Sequence, residues 1–433
     1  MKKVALISHG CAKNLVDSEL ILGILAENGY KITLNEDETD TVIVNTCSFI
    51  CDAERESIHT ILELVQKGKK VIVSGCLAQK HPEELQREIP EICAVIGTTD
   101  FTKIVDVLKK LDNLPVTEVS KKPEYIYPEN VKRQQITMGA SSYIKIADGC
   151  NYRCGYCVIP YLRGDYHSRK MEYIIKEAKE MVKTGVTEII LIAQDTTGYG
   201  IDIYGKPMLT ELLRELNKIE GLGWIRIMYA YPTNMSDELL KTIAECEKVV
   251  KYVDIPLQHS HPEMLKLMKR PVSDYKNLIN KIRNIIPNVS IRTAFIVGYP
   301  RETEEHFEHL CDFVKDMKFD RVGVFCYSRE KGTPSYSMKP QISKKVANAR
   351  YKKLMEIQQK ISKERNEKLI GKTLPCIIEC YSDEGEVIAR TQYDAPEIDG
   401  IVNIKTTKPV VPGDIEQVKI IGATEYDLLG KLE

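Results

Sequence analysis

The sequence predicts an α/β chain of three domains: an N-terminal parallel sheet, a partial (β/α) barrel and a small all-β barrel at the C-terminus. Three observations lead there. Three apolar runs, VALISHGC (4–11), TVIVNTC (41–47) and KVIVSGC (70–76), are separated by helical patterns, as buried parallel strands are. From residue 141, six further runs, SSYIKIADG, EIILIAQD, WIRIMYAY, VVKYVDIPL, NVSIRTAFIVG and RVGVFCYS, alternate with helices, which implies a parallel sheet curled into an incomplete barrel. Beyond residue 372, short strands are punctuated by SDEG, EIDG and VPGD, the rhythm of a small barrel. A length of 433 residues agrees with about three domains, expected at 1–115, 136–365 and 366–433. Between about 113 and 138, periodicity is lost and Pro115, Pro123 and Pro128 accumulate, so this stretch reads as a linker.

Composition narrows the functional classes. The formal net charge of −1 provides no global field towards nucleic acid or membrane. MKKVALISHG runs straight into a core-like strand and no apolar run reaches membrane-spanning length, so a cytoplasmic protein is expected. In that reducing compartment the 13 cysteines read as metal ligands and buried thiols rather than disulfides. Gly371, Lys372 and Thr373 resemble the tail of a phosphate-binding loop, but position 366 is Asn where that loop needs Gly. Neither H-E-x-x-H nor G-x-S-x-G occurs, which removes the signatures of zinc peptidases and serine hydrolases.

The cysteines carry the chemistry. Cys150, Cys154 and Cys157 form a C-x3-C-x2-C triplet with no fourth cysteine close behind. A four-iron cluster normally takes four thiolates, so three leave one iron open to a small molecule. A zinc knuckle completed by a distant Cys or His is the alternative. In the N-terminal region each strand-like run ends in a cysteine. Ligands of open parallel sheets gather outside the carboxyl ends of the strands, so Cys11, Cys47 and Cys76 are expected to converge on a second metal site. The competing explanation is that cysteines are often simply buried; Cys51, a few residues past Cys47, is the cysteine most easily mistaken for a ligand, and Cys93 is assigned to the core. The same strand-end rule in the barrel nominates the Cys150–Cys157 loop, Gln194, Asp195, Tyr231, Gln258, His259 and Arg292 around one pocket. Asp195 could instead cap a turn before Gly198, and Arg292 could pair with a neighbouring carboxylate. His259 and His261, before Pro262, read as helix caps rather than a metal pair, and His306 and His309 with Glu302 and Glu305 as a solvated helix face.

With Tyr156 inside it, the triplet GCNYRCGYC resembles the cluster loop of the radical S-adenosylmethionine (SAM) superfamily. SHGCAKNLVDSE (8–19), NTCSFI (45–50) and SGCLAQK (74–80) resemble the N-terminal domain of its methylthiotransferase branch. AQDTTGYG (193–200), DIPLQHS (254–260) and RTAFIVGYP (292–300) are similar to the group that modifies a ribosomal protein. The resemblance covers essentially the whole chain. It implies two [4Fe-4S] clusters, one on Cys150, Cys154 and Cys157 whose free iron chelates SAM and whose electron releases a 5'-deoxyadenosyl radical, the other on Cys11, Cys47 and Cys76 carrying sulfur. Tyr156, Gln194, Asp195, Gln258 and Arg292 are then expected beside SAM, which serves as substrate and radical source. His9, His167 and Arg301 depart from the group, where Leu, Arg and Gly are expected.

The C-terminal segment resembles a TRAM domain, a module often associated with RNA. Its residues 366–433 carry seven Lys and Arg against 13 Asp and Glu, a net of −6, whereas nucleic-acid modules are usually basic. An acidic barrel suits a basic protein. The stretch 344–372, with ten Lys and Arg against three Glu, reads as a charge-rich connecting helix, with an RNA tether as its alternative. The combined expectation is a radical SAM methylthiotransferase that acts, with a reducing electron donor, on the β-carbon of an aspartate in the twelfth protein of the small ribosomal subunit. The same chemistry on a transfer RNA adenosine, or a non-catalytic iron-sulfur protein that binds the ribosome, are the alternatives.

Overall fold

The computed structural model describes the chain except for residues 1, 49, 112–114 and 137–138 and the side chain of Cys51, so the expectation placed on Cys51 lies outside the described residues. By its contacts the chain divides into two compact units. The first comprises Met1–Thr137, Ala147–Arg153 and Cys157–Arg169, and the second Met138–Ile146, Cys154–Tyr156 and Lys170–Glu433.

In the first unit, β1 (Lys3–Ser8), β2 (Lys31–Thr33), β3 (Thr41–Thr46), β4 (Lys70–Gly75), β5 (Ile92–Ile96) and β6 (Val116–Glu118) form one sheet in the order β2-β1-β3-β4-β5-β6. Every pairing is parallel. Val42, Val44, Val71, Val73 and Val95 supply the sheet's contribution to a core closed by Ile61, Leu64 and Leu77, and β-branched residues of this kind suit a strand buried on both faces. The pairings Ser8 with Asn45, Asn45 with Ser74 and Thr46 with Gly75 bring β1, β3 and β4 to their ends at one level. Three strands were evident in the sequence; β2, β5 and β6 complete the sheet. β6 lies in the stretch expected to be linker, because a three-residue edge strand is too short to show a period. Tyr125 of the same stretch is buried, its hydroxyl 3.3 Å from Asp17 Oδ1 on the helix Ala12–Glu27.

The second unit opens with β7 (Ser141–Lys145); between it and the next barrel strand, β8 (Ala147–Asp148) and β9 (His167–Ser168) form a short antiparallel ribbon of the first unit. The barrel continues with β10 (Glu188–Ile192), β11 (Trp224–Ile227), β12 (Tyr252–Asp254), β13 (Ser290–Val297) and β14 (Arg321–Cys326). The sequential order is β7-β10-β11 and β12-β13-β14 with all strands parallel, and a parallel bridge from Ile225 to Val249 joins the two halves. Among the described residues no pairing joins β7 to β14, so the expected partial barrel is present with its six strands. Then β15 (Thr373–Tyr381), β16 (Val387–Thr391), β17 (Val402–Ile404), β18 (Ile415–Ala423) and β19 (Leu428–Leu432) close into the small barrel β15-β16-β17-β19-β18. Closure leaves no edge to aggregate and encloses Cys376, Ile378, Val387, Val402, Ile404 and Val418.

The amino-terminal ends of the large barrel are tied to the small one by buried charge. Glu188, first in β10, accepts from Arg226 Nε at 2.7 Å, from the Ser141 hydroxyl at 2.7 Å and from Arg390 of β16. Arg321 Nε donates to Asp394 at 2.8 Å. Arg292 meets Asp254 at 3.1 Å and Asp399 at 3.4 Å.

Candidate metal and cofactor sites

The level strand ends of the first unit place three thiols in one neighbourhood. Cys11 occupies the N-cap position of the helix Ala12–Glu27, Cys47 follows β3, and Cys76 opens the helix Cys76–Lys80. Two glycines make the approach possible. A Cβ on Gly10 would lie 2.6 Å from Cys47 Cβ and 2.8 Å from its sulfur, and one on Gly75 would lie 2.3 Å from Asn45 Oδ1; their φ angles of 93° and 90° also suit glycine. Burial pushes the Cys76 thiol up to about 12, partly countered by the Arg163 guanidinium and reinforced by the neighbouring Cys11 and Cys47. For Cys11, desolvation opposes ionisation, but Lys13, Arg163 and the backbone N–H groups of Asn14 and Lys13 outweigh it and hold the thiol below its ordinary range. Cys93 lies buried in β5, apart from this set, its sulfur 3.7 Å from the Glu91 carbonyl oxygen.

A buried polar frame holds the thiol-bearing turns. Asn14 Nδ2 donates to the carbonyls of His9 (3.1 Å) and Thr46 (2.9 Å), tying the turn after β1 to the end of β3. Its Oδ1 accepts from Arg163 Nη2 at 2.6 Å and lies 3.8 Å from Cys76 Sγ. Arg163 Nη1 also donates to Asp17 (3.0 Å) and Asp148 (2.7 Å). The guanidinium thus has both counter-charges and a fixed direction, as a cation out of water needs. Asn14 and Arg163 escaped the reading of the sequence. The signal present was the repeated Gly-Cys pair: Gly10-Cys11, Gly75-Cys76 and Gly149-Cys150 all carry a glycine at positive φ.

At Gly149, φ is 77° and an added Cβ would meet the Asp165 carbonyl oxygen at 2.0 Å. The Cys150 N–H donates to the Gly164 carbonyl at 3.1 Å, and Arg153 bridges the Cys150 carbonyl and the Asp165 carboxylate, each at 2.6 Å. Farther along the loop, the Gly155 N–H donates to the Met268 carbonyl at 2.8 Å and its carbonyl accepts from Ser335 at 3.0 Å. A side chain at 155 would strike the Tyr299 hydroxyl at 2.5 Å. Tyr156 packs with Met264, Met268 and Tyr299. The Arg270 guanidinium, whose charge couples to Tyr156 and Cys154, stacks 4.4 Å over the Tyr231 ring. Both triplets offer soft thiols on turns shaped by glycine, and none of the six is in a disulfide. That donor set fits iron-sulfur clusters with three protein ligands each.

The remaining nominated residues differ among themselves. Gln194 follows β10 and is half-buried. Gln258 sits at φ 70°, strained for a side chain of its kind, with its N–H on the Ala294 carbonyl and its carbonyl on Ile296 N–H, both at 2.8 Å. Asp195 is a turn cap: Oδ1 accepts from Thr197 N–H (3.0 Å), the Thr197 hydroxyl (2.6 Å) and Gly198 N–H (3.1 Å), and Oδ2 from Asn234 (2.9 Å). Arg292 takes the neighbouring-carboxylate role that was its alternative. It is the third residue of the eight-residue β13, not at the carboxyl end, and its charge is spent on Asp254 and Asp399. A cation buried at that depth pairs with the nearest fixed carboxylates.

His259 is fully buried, its Nδ1 accepting from the Ser260 and His261 N–H groups at 3.0 Å each and its Nε2 lying 3.3 Å from Glu302. His261 caps the helix Pro262–Leu267, as expected. Glu302 and His306 are buried, not solvated: Glu302 binds Arg350 at 2.7 Å and His306 closes a capping box with Thr303. His261, Glu263 and His306 lie close enough to hold a metal. However, both rings accept backbone N–H at Nδ1, which leaves the proton on Nε2 and no lone pair there. Arg301 stands at φ 68°, a left-handed position where the expected Gly would be unstrained.

Comparison with known proteins places this geometry. Residues 144–314 match the radical SAM superfamily, 370–432 the TRAM domain, and 3–97 a family described as uncharacterized protein family UPF0004. The chain is similar over 100% of both lengths, at 49% identity, to the ribosomal protein uS12 methylthiotransferase RimO of Thermoanaerobacter sp. (strain X514). It is 47% identical to that of Rippkaea orientalis (strain PCC 8801 / RF-1), over 99% of this chain and 96% of the relative. Among solved structures, the radical S-adenosylmethionine methyltransferase TsrM from Kitasatospora setae shares the fold, with a TM-score of 0.58 at 14% identity over 86% of this chain and 77% of the other. Full-length identity at this level means that the chain belongs to the ribosomal protein uS12 methylthiotransferase family of the radical SAM superfamily.

Proposed function

We propose that the protein attaches a methylthio group to the β-carbon of an aspartate in ribosomal protein uS12, as a radical SAM enzyme with two iron-sulfur clusters. The observation that carries the reading is the pairing of two glycine-shaped cysteine triplets with full-length similarity to uS12 methylthiotransferases. Cys150, Cys154 and Cys157 would hold the SAM-binding cluster, and Cys11, Cys47 and Cys76 the second. Bound there, the first cluster with SAM supplies a carbon radical and the second supplies sulfur. The chain's own residues do the rest. Tyr156 and Arg270 wall the loop, Gln258 presents its amide from a strained turn, and Asp195 fixes the Thr197–Gly198 turn. Asn14 and Arg163 lock the turns that carry Cys11 and Cys76.

The acidic C-terminal barrel favours a basic protein over transfer RNA, because its charge has the sign of phosphate. Asp383 and Glu384 are exposed on the turn between β15 and β16 with Glu386 beside them. Electrons come from a low-potential donor, and the site of action is the cytoplasm. The test is anaerobic reconstitution with SAM and a reductant, followed by mass spectrometry of uS12 and of transfer RNA. A methylthio mass increment on a uS12 aspartate is expected; an increment only on a transfer RNA adenosine would replace the substrate. Reversing Asp383, Glu384 and Glu386 to Lys in the full chain should slow association with uS12 and flatten its salt dependence, with SAM cleavage unchanged.

A further inference from the structure

The helix Lys344–Glu367 follows the large barrel and buries one face through Ala347, Leu354, Gln358 and Ile361. At about 100° per residue, Lys345, Lys352, Lys353, Lys360 and Lys363 fall in one sector roughly opposite. All five are exposed. At ~1.5 Å rise per residue the row runs roughly 27 Å. Lys363 has an ion partner, Glu425 at 3.6 Å, and Lys353 lies 5.5 Å over the Phe307 ring. Lys345, Lys352 and Lys360 have no ion pair among the described residues. One acid, the exposed Glu356, interrupts the row. The surrounding stretch 344–372 carries ten Lys and Arg against three Glu in a chain whose net charge is −1.

We propose that this lysine row docks on the phosphate backbone of ribosomal RNA, so that the enzyme meets its substrate protein while that protein is RNA-bound. The proposal rests on the uS12 reading above and extends it to the form of the substrate. Unpaired lysines on a rigid rod provide charge without base-reading geometry, which suits sequence-independent phosphate contact. The acidic barrel and the basic row belong to one compact unit. A ribonucleoprotein is the kind of target that rewards both signs at once, with basic protein for the barrel and phosphate for the helix. This prefers the RNA tether to a charge-rich connecting helix alone; that Lys345, Lys352 and Lys360 have no ion pair among the described residues is what the sequence could not show.

The experiment uses the full-length reconstituted enzyme, naked small-subunit ribosomal RNA, intact small subunits and free uS12. The triple variant Lys345→Gln, Lys352→Gln, Lys360→Gln keeps good helix formers on an exposed face. It should weaken RNA retention about tenfold near physiological salt and lower the log–log salt slope by about two. Glu356→Lys should do the opposite. Methylthiolation of free uS12 should be unchanged in both, while modification on small subunits follows RNA affinity. RNA affinity and salt slope unchanged in both variants would overturn the proposal, as would an equal loss on free uS12 and on subunits. Failure of the unaltered enzyme to modify uS12 in any form would instead refute the function, and the RNA-retention assay reads the row separately from it.

Discussion

Replacing Glu188 with Gln tests the buried junction between the large and small barrels. Burial alone would raise this carboxyl, but the guanidiniums of Arg226 and Arg390 and the Ser141 hydroxyl pull it from 4.5 down to about 2. A fall from 4.5 to about 2 corresponds to about 3 kcal/mol. Because the folded value is the lower one, this stability is fully present above about pH 5, declines as pH falls from about 4.5 towards 2, and is gone below that. Glu188→Gln also leaves two guanidiniums facing each other in the core, so the expected loss at pH 7 is about 3–5 kcal/mol. The single tryptophan, Trp224, pairs with Glu188 across β10 and β11 and is buried. Its fluorescence during denaturant unfolding therefore reports this junction. The difference between the variant and the unaltered protein should shrink as pH is lowered towards 3. Combining Glu188→Leu with Arg226→Met and Arg390→Met should recover most of the loss, since the carboxylate that Arg390 leaves behind, Glu379, is partly exposed and can be hydrated. A loss under about 1 kcal/mol at pH 7, or one that persists undiminished at pH 3, would refute the reasoning.

The other predictions concern the sites. Reconstituted protein should bind about eight irons; Cys150, Cys154 and Cys157 replaced together by Ala should leave about half and abolish SAM cleavage, as iron analysis and 5'-deoxyadenosine release will read. Ala at Cys11, Cys47 or Cys76 should preserve SAM cleavage and eliminate the methylthiolated product. Gly10→Ala should mimic those variants, because its Cβ enters contact distance of the Cys47 side chain; iron and product are again the readouts. Arg163→Met strands Asp17 and Asp148 and should cost about 3–5 kcal/mol with loss of N-terminal iron, measured by thermal unfolding and metal content. Gln258→Gly should relieve left-handed strain of about 1 kcal/mol in unfolding assays while weakening SAM binding, because the amide is lost.

The sequence by itself determined the architecture and the strand-end and loop positions of the two cysteine triplets. Apolar runs such as TVIVNTC and EIILIAQD state strand identity locally, and cysteine at the end of a parallel strand has one edge to face whatever the remainder of the chain does. The six barrel strands and the closed terminal barrel follow from the same short-range patterns. Tertiary structure decided what each charge meets. Arg292 and Asp195 each had two possible partners in the sequence, and the fold pairs the first with Asp254 and Asp399 and engages the second in a turn and with Asn234. Arg163, 149 residues from Asn14, gains its place beside the thiols through the fold. The lysine row shows the converse, since its charges were visible in the sequence, whereas the absence of ion pairs at Lys345, Lys352 and Lys360 among the described residues was not. Periodicity is a property of neighbours along the chain, whereas counter-ions are chosen by proximity in space, where a buried charge must find its opposite at a cost of several kcal/mol if it does not.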